Sequence, residues 1–172
     1  TFDSGGLSLK PAEAMETMKS DMGGAAAVYG AMQAAAELRL PLHLVGLVSA
    51  AENMPSSNAY RPGDIVKTLS GKTIEVLNTD AEGRIILADA LHYAQRYHPE
   101  AIVELATLTG AIIIALGPHA TGMVGTSQEL CDKISRAGEV SSERVWQLAL
   151  SGPGSTKAVV VMVAPQKPGP KS

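Results

Sequence analysis

Four acidic side chains stand in three short segments crowded with small residues: Asp3 in DSGG, Asp21 in DMGG, and Asp80 with Glu82 in NTDAEGR. Small neighbours let backbone and side chains close in on a ligand. If the four carboxylates converge, each raises the pKa of the others unless cations neutralise them, and two divalent ions supply the required four positive charges. Oxygen-rich ligation suits Mg²⁺, Mn²⁺ or Zn²⁺, and paired-metal centres of this kind serve hydrolases of phosphate esters and of peptides alike. Lys10 and Arg84 lie beside these loops and could stabilise developing negative charge. Each residue also has an ordinary reading: Asp3 as a turn residue, Asp21 as a helix cap, Asp80 and Glu82 as solvated charges near a helix N-terminus, Lys10 and Arg84 as surface ion-pair partners. It is the combination that favours chemistry.

The elements that must position these residues are legible in outline. Thr1 to Lys10 reads as a strand end emptying into a loop, since Asp3-Ser4-Gly5-Gly6 accepts turn geometry. From Asp21 the spacing of Ala25, Val28, Tyr29, Met32, Ala35 and Ala36 predicts a helix, with Pro41 just past its end. Leu42 to Ser49 has strand length and composition, and a polar connection through Asn53, Pro55, Asn58, Pro62 and Gly63 follows it. Ile65 to Leu69 and Thr73 to Leu77 flank a Ser-Gly-Lys turn as a hairpin whose second strand leads into the Asp80 loop. A helix over Arg84 to Tyr97 and a strand over Ala101 to Ala106 then imply a strand–helix–strand crossover with parallel pairing. Further β structure is expected over Ile112 to Leu116 and Ala120 to Gly125, with helices near Gln128 to Ala137 and Ser142 to Leu148. The predicted class is α/β, a mixed and largely parallel sheet flanked by helices. In such sheets ligands gather beyond the carboxyl ends of strands, which places Thr107 to Gly110 near a site.

Composition narrows the function classes. The 172 residues carry a net charge of −3 with basic residues scattered, so no footprint for nucleic acid is present. No apolar run approaches the roughly 18 residues that a membrane span requires. The single cysteine, Cys131, leaves no disulfide framework and fits a reducing compartment; it reads as a buried structural residue. The Gly71-Lys72-Thr73 stretch has Val66 where a phosphate-binding loop needs its first glycine, the four histidines lack H-E-x-x-H spacing, and no G-x-S-x-G elbow occurs.

The segments TFDSGGLSLKP, MKSDMGGAA, NTDAEGRIILADAL and ELATLTGA, in this order, resemble the catalytic domain of the leucyl aminopeptidase family, dinuclear metallopeptidases also called cytosol aminopeptidases. The resemblance covers about Thr1 to Leu148. It implies metal ligation by Asp3, Asp21, Asp80 and Glu82, catalytic roles for Lys10 and Arg84, a pocket for the first side chain lined by Met18, Asn78, Thr107 and Gly110, and backbone contacts to the substrate from Leu108 and Gly110. It further implies two divalent ions, Mn²⁺ or Zn²⁺, a bicarbonate at Arg84, peptide substrates losing Leu-like first residues, a homohexamer and a cytoplasmic location. A metal-ligating lysine belongs three residues ahead of Thr1 in the family, so a fragment is expected: residues 1–150 as a partial metallopeptidase domain and 151–172 as an atypical tail with a frayed end. A truncated non-catalytic family product and a dinuclear metal phosphatase are the alternative functions.

Overall fold

The computed structural model describes residues 1–149 and 158–162 of the chain. Two compact units form, one from Thr1–Asp21 and Val28–His98, the other from Met22–Ala27 and Pro99–Ser172.

In the first unit, the short helix α1 (Ala12–Met15) follows Pro11 and a 3-10 turn over Met18–Ser20 leads to Asp21. The alanine-rich helix α2 (Gly23–Glu37) starts two residues later, close to the predicted place, and gives this unit all but its first turn. Strands β1 (Ile65–Lys67) and β2 (Thr73–Glu75) make the expected antiparallel hairpin, Val66 opposite Ile74. Gly71 turns the chain at φ +84°, a conformation that costs glycine little. Helix α3 (Glu82–Ala94) continues as a 3-10 turn over Gln95–Tyr97 and stops at His98, which is left-handed at φ 49° and precedes Pro99.

The expected strand over Leu42 to Ser49 is not formed: no ladder partner meets it among the described residues, and Leu42, Leu44, Val45 and Val48 are exposed. An extended apolar segment becomes a strand only when a neighbour takes its backbone hydrogen bonds. Instead it lies along α2, where a Cβ on Gly46 would come within 3.0 Å of Met32. Likewise β2 pairs with β1 alone among the described residues, so the expected crossover from β2 through α3 is absent.

The second unit carries a four-stranded sheet in the order β3-β6-β4-β5, from β3 (Ile102–Ala106), β4 (Thr121–Gly125), β5 (Val145–Gln147) and β6 (Ala158–Met162). β3 runs parallel to β6 and β4 parallel to β5, while β4 and β6 are antiparallel. The class is therefore α/β with a mixed, largely parallel sheet, as the sequence predicts. Helix α5 (Gln128–Ser141) is the crossover from β4 to β5, and the Ser127 hydroxyl caps it by accepting from Leu130 N–H. Its Cys131 packs against Met123 and Val161, with Leu105, Ile134 and Val145 around them, to make the core. Burial pushes the Cys131 thiol pKa up, consistent with a structural rather than reactive residue.

In this unit two further elements differ from the sequence reading. Ala111–Leu116 forms helix α4, not a strand: the Thr109 hydroxyl accepts from Ala111 N–H at its start, and Gly117 at φ +71°, followed by Pro118, ends it. A six-residue apolar run suits either element, and here the end signals decide. Val145–Gln147 is strand β5 rather than helix, because Ser142 in the left-handed region terminates α5 and Thr121 N–H then bonds the Arg144 carbonyl. Within the segment read as a tail, residues 158–162 supply β6, between β3 and β4; the remainder, including the expected frayed end, lies outside the described residues. No described helix is long and apolar enough to cross a membrane.

Candidate functional site

The site is built wholly within the first unit, from three stretches far apart in sequence. At Asp3 the chain makes a single parallel bridge to Asn53. Asn53 N–H donates to the Phe2 carbonyl (3.0 Å), and the Asn53 carbonyl accepts from Ser4 N–H (2.9 Å) and the Ser4 hydroxyl (2.6 Å). Beyond the bridge, Gly5 and Gly6 take positive φ of 89° and 66°, and Gly5 N–H donates to Asp3 Oδ1. The loop then closes by a bond from Lys10 N–H to the Ser4 carbonyl (2.9 Å), which turns the lysine back toward the aspartate.

Thr79 joins this loop to the next. Its side chain is fully buried; the hydroxyl donates to the Gly5 carbonyl (2.6 Å) and accepts from Ser8 N–H (2.8 Å), while its own N–H donates to the Ser8 hydroxyl (3.1 Å). The Asn78 side chain caps the 3-10 turn over Thr79–Ala81 by accepting from Asp80 N–H (2.8 Å). Glu82 follows at the first position of α3, where a helix N-terminus favours a carboxylate.

These constraints bring one carboxylate oxygen each of Asp3, Asp80 and Glu82 within 4.8 Å of one another. The Lys10 ammonium sits 2.8 Å from Asp3 Oδ2 and 2.5 Å from Asp80 Oδ1. Burial works against a charged Lys10, but the hydrogen bonds to Asp3 and Asp80 outweigh it and raise its pKa. Glu82 is also raised, first by burial and then by the negative charges of Asp3 and Asp21, against the opposing pull of Lys10. Asp21 is exposed and is not one of the three clustered carboxylates, yet its charge reaches Glu82. The Tyr60 hydroxyl donates to the Thr79 carbonyl (3.0 Å), and burial with the charges of Glu82, Asp3 and Asp80 raises its pKa.

The donor set is all oxygen, partly buried, and carries more negative charge than Lys10 can balance. That fits a hard dication. Of the other predicted residues, Arg84 is exposed on the first turn of α3, Met18 is half-buried on its 3-10 turn, and the Asn78 side-chain oxygen caps its own loop. Thr107, Leu108 and Gly110 belong to the second unit, where they follow β3 and lead into α4. Sequence reasoning missed Asn53, Thr79 and Tyr60. The signal available was the density of polar residues between Asn53 and Tyr60, which marks a loop but does not say which of its side chains turn inward.

A model of the cytosol aminopeptidase family, catalytic domain, matches residues 1–163. The chain belongs to the cytosol aminopeptidase family. It is 69% identical over 153 residues to the probable cytosol aminopeptidase of Roseiflexus castenholzii, covering 89% of this chain and 31% of that protein. The proteins of the same name from Syntrophotalea carbinolica and Geotalea uraniireducens are 65% and 61% identical over 149 and 150 residues, covering 87% of this chain and 30% of each. The chain thus spans under a third of the length of these cytosol aminopeptidases.

Proposed function

We propose that this chain carries the metal-binding part of an aminopeptidase catalytic domain that releases Leu-like first residues from peptides with two divalent ions, Mn²⁺ or Zn²⁺. The observation that carries the reading is the convergence of Asp3, Asp80 and Glu82 around Lys10 from separate loops. Asp3, Asp80 and Glu82 would hold the ions, with Asp21 close enough to contribute charge. When bound, such ions supply Lewis acidity, an activated water and an anchor for a free amine.

The residues themselves supply the rest. A free N-terminal amine is attracted to this acidic cluster, while an internal peptide nitrogen is neither basic nor free, which restricts cleavage to the first residue. The Lys10 ammonium, which stands between Asp3 and Asp80, would be the donor to a peptide carbonyl oxygen, where it would stabilise developing negative charge. Arg84, exposed on the first turn of α3, would hold a bicarbonate, which would supply a general base. Met18 would contact the first side chain of the substrate, with broad preference because each methylene discriminates by only about 1–3 kcal/mol. A homohexamer and a cytoplasmic location complete the proposal.

The test is Glu82→Ala in the protein spanning the full length of its relatives, assayed on leucyl p-nitroanilide with Mn²⁺. Loss of at least about a hundredfold in kcat/KM is expected on removal of a ligand from the metal cluster. Unchanged hydrolysis, or turnover of a phosphoester with none of the leucyl substrate, refutes the reading.

A further inference from the structure

We infer that Asn53 is a positioning residue of the metal cluster, its side-chain amide fixing the orientation of the Asp3 and Glu82 carboxylates. This rests on the proposal that the cluster holds a dication. The two hydrogens of the Asn53 Nδ2 group are shared among three acceptors, Asp3 Oδ1, Glu82 Oε2 and the Thr79 carbonyl, each at 2.9 Å. Three acceptor oxygens around one end of the amide require that end to be the nitrogen, which settles its orientation. The residue is 4% exposed and its backbone is pinned on both sides by Phe2 and Ser4, so the amide is delivered from a fixed base.

Two features suit it to this role. The first is the division of labour between oxygens: Oδ1 of Asp3 receives both Asn53 and Gly5 N–H, leaving Oδ2 as the oxygen that faces Lys10, and Asn53 engages Oε2 alone of Glu82. The amide therefore selects which oxygen of each carboxylate is turned to protein donors and which is left for a cation. The second is charge. Lys10 organises Asp3 and Asp80 as a cation and so repels an incoming dication, whereas an amide orients the same kind of anion without that repulsion. Groups that hydrogen-bond to metal-ligating carboxylates orient them and tune affinity. Gly6 completes the arrangement, because a Cβ there would stand 2.6 Å from Asn53 Oδ1 and push the amide aside.

The experiment is calorimetric titration of the chelator-treated chain with Mn²⁺, for the unsubstituted protein, Asn53→Ala and the near-isosteric Asn53→Leu, each checked for fold by circular dichroism without metal. A 10- to 100-fold weakening of Mn²⁺ binding is expected in a folded variant. Loss of a purely structural hydrogen bond would lower the melting temperature and leave affinity within about twofold, and that result overturns the inference while leaving the metal reading intact. A reference titration with Glu82→Ala separates the two: if that variant binds Mn²⁺ as the unsubstituted chain does, or the unsubstituted chain takes up none, the metal reading falls and Asn53's role with it. A third measurement needs no variant. Zn²⁺ added to the ¹⁵N-labelled chain is expected to shift the Asn53 side-chain amide resonances, and resonances that stay in place while Zn²⁺ binds overturn the assignment.

Discussion

The two units hold their centres by opposite means. Around Asp3, Asp80 and Glu82 the buried groups are polar, and hydrogen bonds among Thr79, Asn53, Ser4, Gly5 and Ser8 keep the glycine-bent loop after Asp3 in register with the Thr79 turn. Around Met123, Cys131 and Val161 the buried groups are apolar, and the sheet and α5 meet by packing. Glu104 is the exception there: it is 7% exposed on β3, with neither carboxylate oxygen hydrogen-bonded among the described residues, and burial lifts its pKa to about 7. The contrast teaches where charge is useful. In the first unit the acids are gathered with Lys10 and the Asn53 amide, which leaves them ready for a cation; in the second a single acid sits without such company and costs stability whenever it ionises.

The largest expected effect breaks the apolar side of the contrast. Met123 is fully buried, so Met123→Ala should destabilise the chain by about 2–5 kcal/mol through lost contacts and a cavity. Urea titration would measure this. A change below about 1 kcal/mol would mean that the sheet core does not hold this unit together, while Mn²⁺ affinity should be unaffected if the first unit organises its cluster by itself.

Next comes Glu104. Its folded pKa of about 7 lies above the usual 4.5, so the folded state keeps its proton where the unfolded chain has already lost it. The contribution of Glu104 to stability is then fully present below about pH 4.5 and is lost as pH rises through about 7, about 3 kcal/mol in total. Chemical denaturation at several pH values should show this slope, and Glu104→Gln should flatten it. A variant that keeps the full slope would assign it to another group.

How much of this was open to sequence reading follows from the same contrast. The helices over Gly23–Glu37, Glu82–Ala94 and Gln128–Ser141 are visible as periodic or capped stretches, and β3 as a bounded apolar run, because those signals are local. Leu42 to Ser49 has the same local signal, yet pairing depends on a neighbour that composition does not reveal. Ile112 to Leu116, read as β structure, is instead part of helix α4, because a short apolar run suits either element and the end signals at Thr109 and Gly117 decide. At the site, DSGG and NTDAEGR announce themselves by residue type, and the structure brings Asp3, Lys10, Asp80 and Glu82 into one cluster. Asn53 was hidden because an amide in a polar loop looks the same whether it faces water or two carboxylates. Its partners are 50 and 29 residues away.

On the polar side, Thr79→Val keeps shape and removes the hydroxyl, leaving the Gly5 carbonyl and Ser8 N–H without their partner. A cost of about 1–3 kcal/mol is expected from the unsatisfied buried groups. If stability is unchanged, the loops are not held by this clamp and the contrast between the units weakens. The smallest effect concerns the surface. Lys133 and Glu129 pair at 2.7 Å across one turn of α5 with both side chains about two-thirds exposed, so Lys133→Ala should change stability least of all. It should also vanish in high salt, because an exposed pair is screened, whereas the Thr79 effect, resting on buried neutral groups, should persist. A salt-insensitive loss at Lys133 would show that its aliphatic stem packs on the helix, and that apolar contact rather than charge matters even on this face.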